Sequence, residues 1–523
     1  MPEDFQSKTD VPQLRVRRLN AHRIAPQGDW VVYWMTAFRR TRSNYALQYA
    51  RDLAKELKRP LIILEALRVG YRWASDRFHR FVIEGMRDNQ AACNAADVLY
   101  YPYVEAKPGE GSGLVEALAD QACAVVTDDY PCFFHPRMLR AIQGRLTSPL
   151  VAIDANCLMP LQAAERTFTV AHSYRRWMQK TLPQHLQYPP DENPLDGRST
   201  RGLPVLAQIP KKILSRWPTA QIDNLLADKG LHNLPIDHAV GPGAVAGGEV
   251  EAARLLRRFV SQRLNNYAEA RNQPDEAGAS ELSPHLHFGH IGPHEIFFEV
   301  IQAAGWNPGK LGDAFGKVAE APKGHDSESR ATMKTGKLGQ VNGKVHGFWG
   351  VDEATEAFLD QLCTWREIGF NMCWRETNYD QLESLPSWAL QTIQEHADDL
   401  RPQVYSLEQF EKAQTHDEIW NAAQRQLVRE GRIHNYLRML WGKKILQWTP
   451  SAKVALQIMI ELNNKYGLDG RDPNSYSGIF WVLGRYDRAW GPEREVFGKL
   501  RYMTSENTAK KHPLKKYLKR FAD

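Results

Sequence analysis

What this sequence lacks narrows it first. It has six cysteines in 523 residues, Cys93, Cys123, Cys132, Cys157, Cys363 and Cys373, far apart and with no CxxC pair. That usage fits neither a disulfide framework nor a zinc ribbon, so reduced thiols are expected. No apolar run approaches the roughly 18 residues that cross a bilayer, and "MPEDFQSKTDVPQLRVRRLN" holds no secretion-like apolar core. A cytoplasmic protein without a membrane partner is expected. The turn after the first strand-like run, "TAFRRTRSN", contains no glycine. The GxGxxG fingerprint of nicotinamide dehydrogenases is therefore missing. Excess charge is also small, since a net +6 does not by itself mark a nucleic-acid binder.

What is present points to at least two domains. The chain is too long for one ordinary core, and 43% hydrophobic residues supply enough apolar surface for two or three. From Trp30 onward, β-rich runs ("WVVYWM", "LIILEAL", "VLYYPYV", "AVVTDD", "PLVAID") alternate with helical patterns. Five such alternations predict a doubly wound α/β domain with a parallel sheet, over about residues 28–165. Residues 166–248 are rich in Pro, Gly and Asp towards their end and read as an interdomain linker. From 249 to 523 nearly everything periodic is helical, which predicts an all-α domain. A Gly/Lys-rich segment at about 305–350 has no apolar period and reads as a mobile surface insertion. Basic residues mixed with aromatics gather in the last sixty positions, including "TAKKHPLKKYLKRF". That mixture suits a phosphate-tracking surface, and equally a solvated tail.

Three stretches could carry chemistry. In "ASELSPHLHFGHIGPHEIF", Ser283-Pro284 can open a helix, with the serine hydroxyl capping it and a phosphate-binding terminus behind. Its four histidines, His285, His287, His290 and His294, do not follow a familiar ligand spacing, so no metal is expected. In "DQLCTWREIGFNMCW", Gln361 and Trp365 are four apart on a helix and share a face. An amide beside an indole can read a flat heterocycle such as a base, or can be a plain helix–helix contact. Asp360 would point about 100° away from Gln361. In "GRIHNYLRMLWGKKILQW", an apolar stripe carries polar residues. Trp441 and Trp448 lie two turns apart, roughly 10 Å along the axis, with Trp420 on the preceding helix. Such tryptophans are ordinary core in most helical proteins, and are also suited to one-electron hopping. Arg438 needs an acid, and "LDGRDPNSYSG" offers Asp469 and Asp472.

Taken in order, "GGEVEAARLLRRF", "ELSPHLHFG", "TWRE", "THDEIWNAAQ", "GRIHNYLRMLW", "LDGRDPNSYSG" and "FGKLRYM" resemble the photolyase/cryptochrome family. The similarity is greatest to its class II cyclobutane-dimer photolyases, and strongest from about 405 to 503. The resemblance implies a light-driven DNA-repair enzyme with bent FAD in the helical domain. It implies cofactor contacts at Tyr267, Ser280, Leu282, Ser283, Arg438, Asn463, Asp469 and Asp472. Trp441, Trp420 and Trp448 would relay electrons from flavin to solvent. Arg271, Gln361, Trp365, Met439, Trp481, Asp487 and Trp490 would surround a flipped pyrimidine dimer in UV-damaged DNA. The family also allows an antenna chromophore, a deazaflavin or a folate. A monomer is expected.

The chain departs from the class II pattern at Gln361, where that class carries glutamate. Glutamine there is familiar from six-four photolyases, although His434-Asn435 lacks the paired histidines of the animal six-four enzymes. A six-four photolyase and a cryptochrome-like blue-light photoreceptor are the alternatives. Receptors usually add a long C-terminal extension, and the sequence ends soon after "FGKLRYM", which favours an enzyme.

Overall fold

The computed structural model describes residues 9–197, 209–305 and 338–523. Six strands form one sheet: β1 (Val16–Arg18), β2 (Trp30–Met35), β3 (Leu61–Leu67), β4 (Leu99–Val104), β5 (Ala122–Asp128) and β6 (Leu150–Ile153). Their order is β1-β6-β5-β2-β3-β4. Strands β2 to β6 pair in parallel, and β1 pairs antiparallel with β6. The five expected strands are present and parallel. The edge strand β1 is an addition: three mostly polar residues carry no apolar signal, yet they cover β6.

The β2 run is buried on both faces. Val31, Tyr33 and Met35 face the larger core, while Trp30, Val32 and Trp34 face the smaller one, following the two-residue period of a strand. Helices α1 (Tyr45–Leu57), α2 (Asp76–Ala95), α3 (Leu114–Ala119) and α4 (His135–Gln143) connect the strands. The larger core continues without a break into the helical half, through Phe259, Ile296, Phe297 and Phe358. A second core gathers around Trp420, Leu437 and Trp441.

The described part of the stretch expected as a linker begins with docked structure. It contains the 15-residue helix α5 (Ala171–His185), whose Tyr174, Met178 and Leu182 enter the larger core. Of the expected mobile insertion, residues 306–337 lie outside the described residues. Residues 338–350 are tied down, which corrects that reading. Phe348 and Trp349 are buried, and Glu356 accepts the amides of Trp349 (2.9 Å) and Gly350 (3.1 Å). The many glycines and lysines masked this aromatic pair.

The basic C-terminus is likewise docked. Leu514, Tyr517 and Phe521 are buried, and the Tyr517 hydroxyl donates to Gln426 at 2.7 Å. Among the described residues no helix is long and apolar enough to cross a membrane.

Candidate active site

The helical half encloses a cavity of two connected lobes, with about 1360 and 1840 Å³ of open space, mouths included. Tyr267, Arg271, Ser280, Ser283, Gln361 and Asp469 line both. Much of that space is open mouth; beside single-ligand pockets of about 300–1,000 Å³, the enclosed parts, about 380 and 530 Å³, together suit one large cofactor.

Most residues expected at the cofactor meet here. Leu282 and Asp472 line the first lobe, and Arg438 lines the second. Arg438 finds its acid in Asp469, with Nη2 donating to both carboxylate oxygens at 3.0 and 3.1 Å. Asp472 caps the helix Pro473–Val482, accepting the amides of Asn474 (2.7 Å) and Ser475 (3.2 Å). Its carboxyl is pushed up to about 6 by burial, opposed by Arg366 and reinforced by Asp469.

Two placements differ from the sequence reading. Ser283 does not cap its helix: the cap position falls on Leu282, and the Ser283 hydroxyl donates instead to Asp469 at 3.1 Å. A charged acceptor across the cavity outcompetes the local amide. Asn463 is buried behind the wall and lines neither lobe. Its Nδ2 donates to Ser475 Oγ at 2.6 Å, whereas Asn474 lines both lobes. The four histidines are also committed elsewhere. For example, His290 Nδ1 accepts the Gly248 amide at 2.9 Å, and His285 donates through Nε2 to the Ala246 carbonyl at 3.0 Å.

Gln361, Trp365, Met439 and Trp481 line the first lobe beside Arg271. Asp487 and Trp490 stand outside its lining. Asp487 holds Arg501 (2.8 and 3.1 Å) and the Trp490 indole N–H (3.1 Å), while Arg501 lies over both Trp490 and Trp481 at 4.3 and 5.1 Å. Gln361 and Trp365 share the cavity, but on an unexpected geometry: residues 361–366 form a π-helical turn between the α-helical segments Glu353–Asp360 and Glu367–Arg375. Leu362 and Arg366 line the lobe as well. Asp360 points away, as expected, and binds Arg175.

Sequence reasoning missed Arg366, Asn474 and Tyr486 as lining residues. Arg366 and Asn474 sit inside motifs quoted above. Tyr486 sits in the loop WVLGRYDRAW, one residue shorter than the class II pattern, which blurs its alignment; its backbone is left-handed (φ 66°).

The helix Asn435–Gln447 lines the cavity through Asn435, Arg438 and Met439, and beyond them it is enclosed and not striped. Every residue from Leu440 to Leu446 is buried, so it behaves as an interior helix. Trp441 and Trp420 stack with ring centroids 6.5 Å apart and planes within 4°. Trp448 meets Trp420 at 6.2 Å, edge to face. Trp420 therefore bridges the two tryptophans that lie seven apart in sequence. The Trp420 indole N–H donates to the Trp441 carbonyl (3.0 Å), and that of Trp441 donates to Gln424 (2.9 Å).

A parallel sheet domain leading into helices that enclose a cofactor-sized cavity, with tryptophans stacked behind one wall, is the arrangement that the photolyase/cryptochrome resemblance implies. The comparisons agree. The chain is 30% identical to the deoxyribodipyrimidine photo-lyase of Methanothermobacter thermautotrophicus over 507 residues, 97% of each chain. It is 32% identical to the enzyme of that name from Oryza sativa subsp. japonica over 518 residues, 96% of this chain and 89% of that one. With the one from Potorous tridactylus it is 29% identical, covering 96% and 83%. A bacterial class III photolyase from Agrobacterium tumefaciens shares the fold, with a TM-score of 0.64 and 15% identity over 94% of this chain and 86% of that one. No family model matches. The chain belongs to the photolyase/cryptochrome family, and its relatives place it among the deoxyribodipyrimidine photo-lyases, which are enzymes.

FAD is the cofactor this family implies. The residues present fit it: the size of the cavity, the hydroxyls of Ser280 and Ser283, the Arg271 guanidinium, and the Arg438–Asp469 pair match the polar and charged parts of a dinucleotide.

Proposed function

We propose that this enzyme repairs cyclobutane pyrimidine dimers in UV-damaged DNA by light-driven electron transfer from FAD held in the helical cavity. The observation that carries this reading is the joining of two surfaces. Trp365 and Trp481 flank a lobe large enough for an extrahelical dimer, and a continuous tryptophan stack lies behind the opposite wall.

When bound, reduced and excited, FAD would supply the electron. The chain's own residues do the rest. Trp365 and Trp481 offer stacking faces, worth about 1–3 kcal/mol per base, and Arg271 offers a phosphate or carbonyl partner. Gln361 directs its amide into the lobe; among the described residues no hydrogen bond of that amide to protein is seen, so both its donor and acceptor remain for substrate. The Arg438–Asp469 pair holds one end of the cofactor space, and Asn463, by bracing Ser475, acts from behind it. Trp441, Trp420 and Trp448 would return the flavin to its reduced state.

A second chromophore has a candidate place. Trp34, Arg39, Tyr71, Phe133 and His135 line a crevice at the carboxyl ends of β2, β3 and β5, where the strand order reverses and α/β sheets bind ligands. The short helix Ser283–Phe288 lies between it and the cavity, with His287 and Phe288 lining the crevice and Ser283 and Leu286 the lobe. A deazaflavin or a folate there would act as an antenna.

The test is an absorption spectrum of purified protein, followed under blue light with a reductant and then with dimer-containing oligothymidine. Bleaching of a flavin spectrum followed by loss of dimers supports the reading. Photoreduction with persistent dimers would overturn the choice of lesion. It would favour the six-four reading, which the neutral Gln361 motivates, or a cryptochrome-like receptor. The variant Gln361→Glu sharpens this test. Dimer splitting is expected to hold or rise, and a loss of roughly tenfold, about 1.4 kcal/mol, would mean that the site is built around glutamine.

A further inference from the structure

The π turn at 361–366 closes its hydrogen bonds at i→i+5, a geometry rare outside functional sites, and its sequence, QLCTWR, contains nothing that demands it. Two buried carboxylates bracket it. Asp360 immediately precedes the turn and accepts Arg175 Nε at 2.6 Å and Nη2 at 3.0 Å; both side chains are more than nine-tenths buried. Glu367 immediately follows, is 1% exposed, and accepts the backbone amides of Leu158 (2.6 Å) and Met159 (3.2 Å).

Both anchors come from the same part of the chain, the stretch that leaves β6 and enters α5. A third bond reinforces them, since Arg366 Nη2 donates to the Asn156 carbonyl at 2.9 Å. Arg175 also binds the Gly343 carbonyl at 3.1 Å, so α5 grips the cavity wall and the segment that packs before it. Within the turn, by contrast, the buried Thr364 hydroxyl has no partner. The turn is held at its two ends, by Asp360 on one side and by Arg366 and Glu367 on the other.

We propose that Asp360 and Glu367 are positioning residues for substrate recognition, acting through Gln361 and Trp365. Resting on the repair reading above, this adds that the sheet half of the protein sets the shape of the dimer-facing wall. Held at both ends, the broadened turn presents Gln361, Leu362, Trp365 and Arg366 to the lobe together. Released, it relaxes towards a regular helix, in which the four spread over an arc of about 140° and Leu362 and Arg366 turn outward from Gln361 and Trp365.

The test uses the full-length, flavin-loaded protein. The single variants Asp360→Asn and Glu367→Gln each leave a donor unsatisfied and are liable to misfold. The double variant Arg175→Leu/Asp360→Leu avoids this, because an apolar replacement of a buried ion pair is often neutral for folding. The readouts are flavin content, flavin photoreduction, and dark binding of dimer-containing against intact oligothymidine. Hydrogen exchange of amides 362–366 is followed in parallel.

In the double variant, flavin content and photoreduction should match wild type, since the tryptophan wall is untouched. Exchange at 362–366 should rise. Discrimination between damaged and intact oligomer should fall roughly tenfold to a hundredfold, as expected for recognition groups displaced by about an ångström. A flavin-loaded double variant with discrimination within twofold of wild type and unchanged exchange overturns the proposal. Wild-type protein that ignores dimers would instead sink the repair reading, and exchange would still decide whether the carboxylates hold the turn.

Discussion

The helix Asn435–Gln447 and the helical run 353–375 wall the same cavity and are held by different forces. The first is surrounded by apolar contacts along Leu440–Leu446 and packs so closely that a Cβ at Gly442 would stand 2.6 Å from Val482. Its lysine, Lys443, is buried with it, donates to the Val482 carbonyl at 2.5 Å, and is pushed down to about 7 by that burial. The second run carries buried Asp360, Arg366 and Glu367, each bonded to a specific group between Asn156 and Arg175. Apolar packing is non-directional and yields rigidity. Directional polar bonds can instead hold a backbone in a shape it would not choose alone. On the proposed reading, one wall would keep an electron path still, and the other would be shaped for recognition.

The contrast breaks most visibly at Trp420, which is fully buried between Trp441 and Trp448. Trp420→Ala should cost about 3–5 kcal/mol of stability, measured by urea unfolding, and should stop flavin photoreduction. A cost below about 1 kcal/mol would show that this wall does not depend on packing.

Asp472 comes next. Its carboxyl rises from 3.8 to about 6 in the folded protein. Between those values the folded chain keeps a proton that the unfolded chain has released. Stability therefore falls as pH rises through that window, and the cost is complete above about pH 6. Asparagine caps a helix as well as aspartate. Asp472→Asn should accordingly raise stability at pH 8 by about 2–3 kcal/mol, and at pH 4 by under about 1. Equal gains at both pH values would refute the buried-charge account. A third variant, Gly442→Ala, should cost about 1–3 kcal/mol by overpacking, read as a shift of the unfolding midpoint.

These differences follow what was legible in the sequence. Strands β2 to β6 were readable because strands covered on both sides must be continuously apolar, as WVVYWM and LIILEAL are. The edge strand β1 was not, since one valine and two arginines carry no apolar pattern and pair with β6 through the backbone. The tryptophan positions came with their motifs, but the bridging role of Trp420 needed the crossing of two helices. Least visible was the π turn. Gln361 and Trp365 fit an α-helical face equally well, and the bonds that change the turn come from Leu158, Met159 and Arg175, some two hundred residues away. Ser283 shows the same limit: its capping position is a local pattern, and a distant carboxylate decides where its hydroxyl goes.

The smallest expected effect on stability is also the one that separates the walls most cleanly. Trp365 is the same residue type as Trp420, but it is only partly buried and faces the lobe. It packs only against the edge of the larger core, so Trp365→Ala should lower unfolding free energy by no more than about 1 kcal/mol. Binding of dimer-containing oligothymidine should nevertheless weaken by about 1–3 kcal/mol, the worth of one stacked base, and photoreduction should be untouched. A stability loss approaching that of Trp420→Ala would make Trp365 part of the core and erase the division between the two walls. Unchanged binding would remove it from recognition, leaving Trp481 as the stacking face of that lobe.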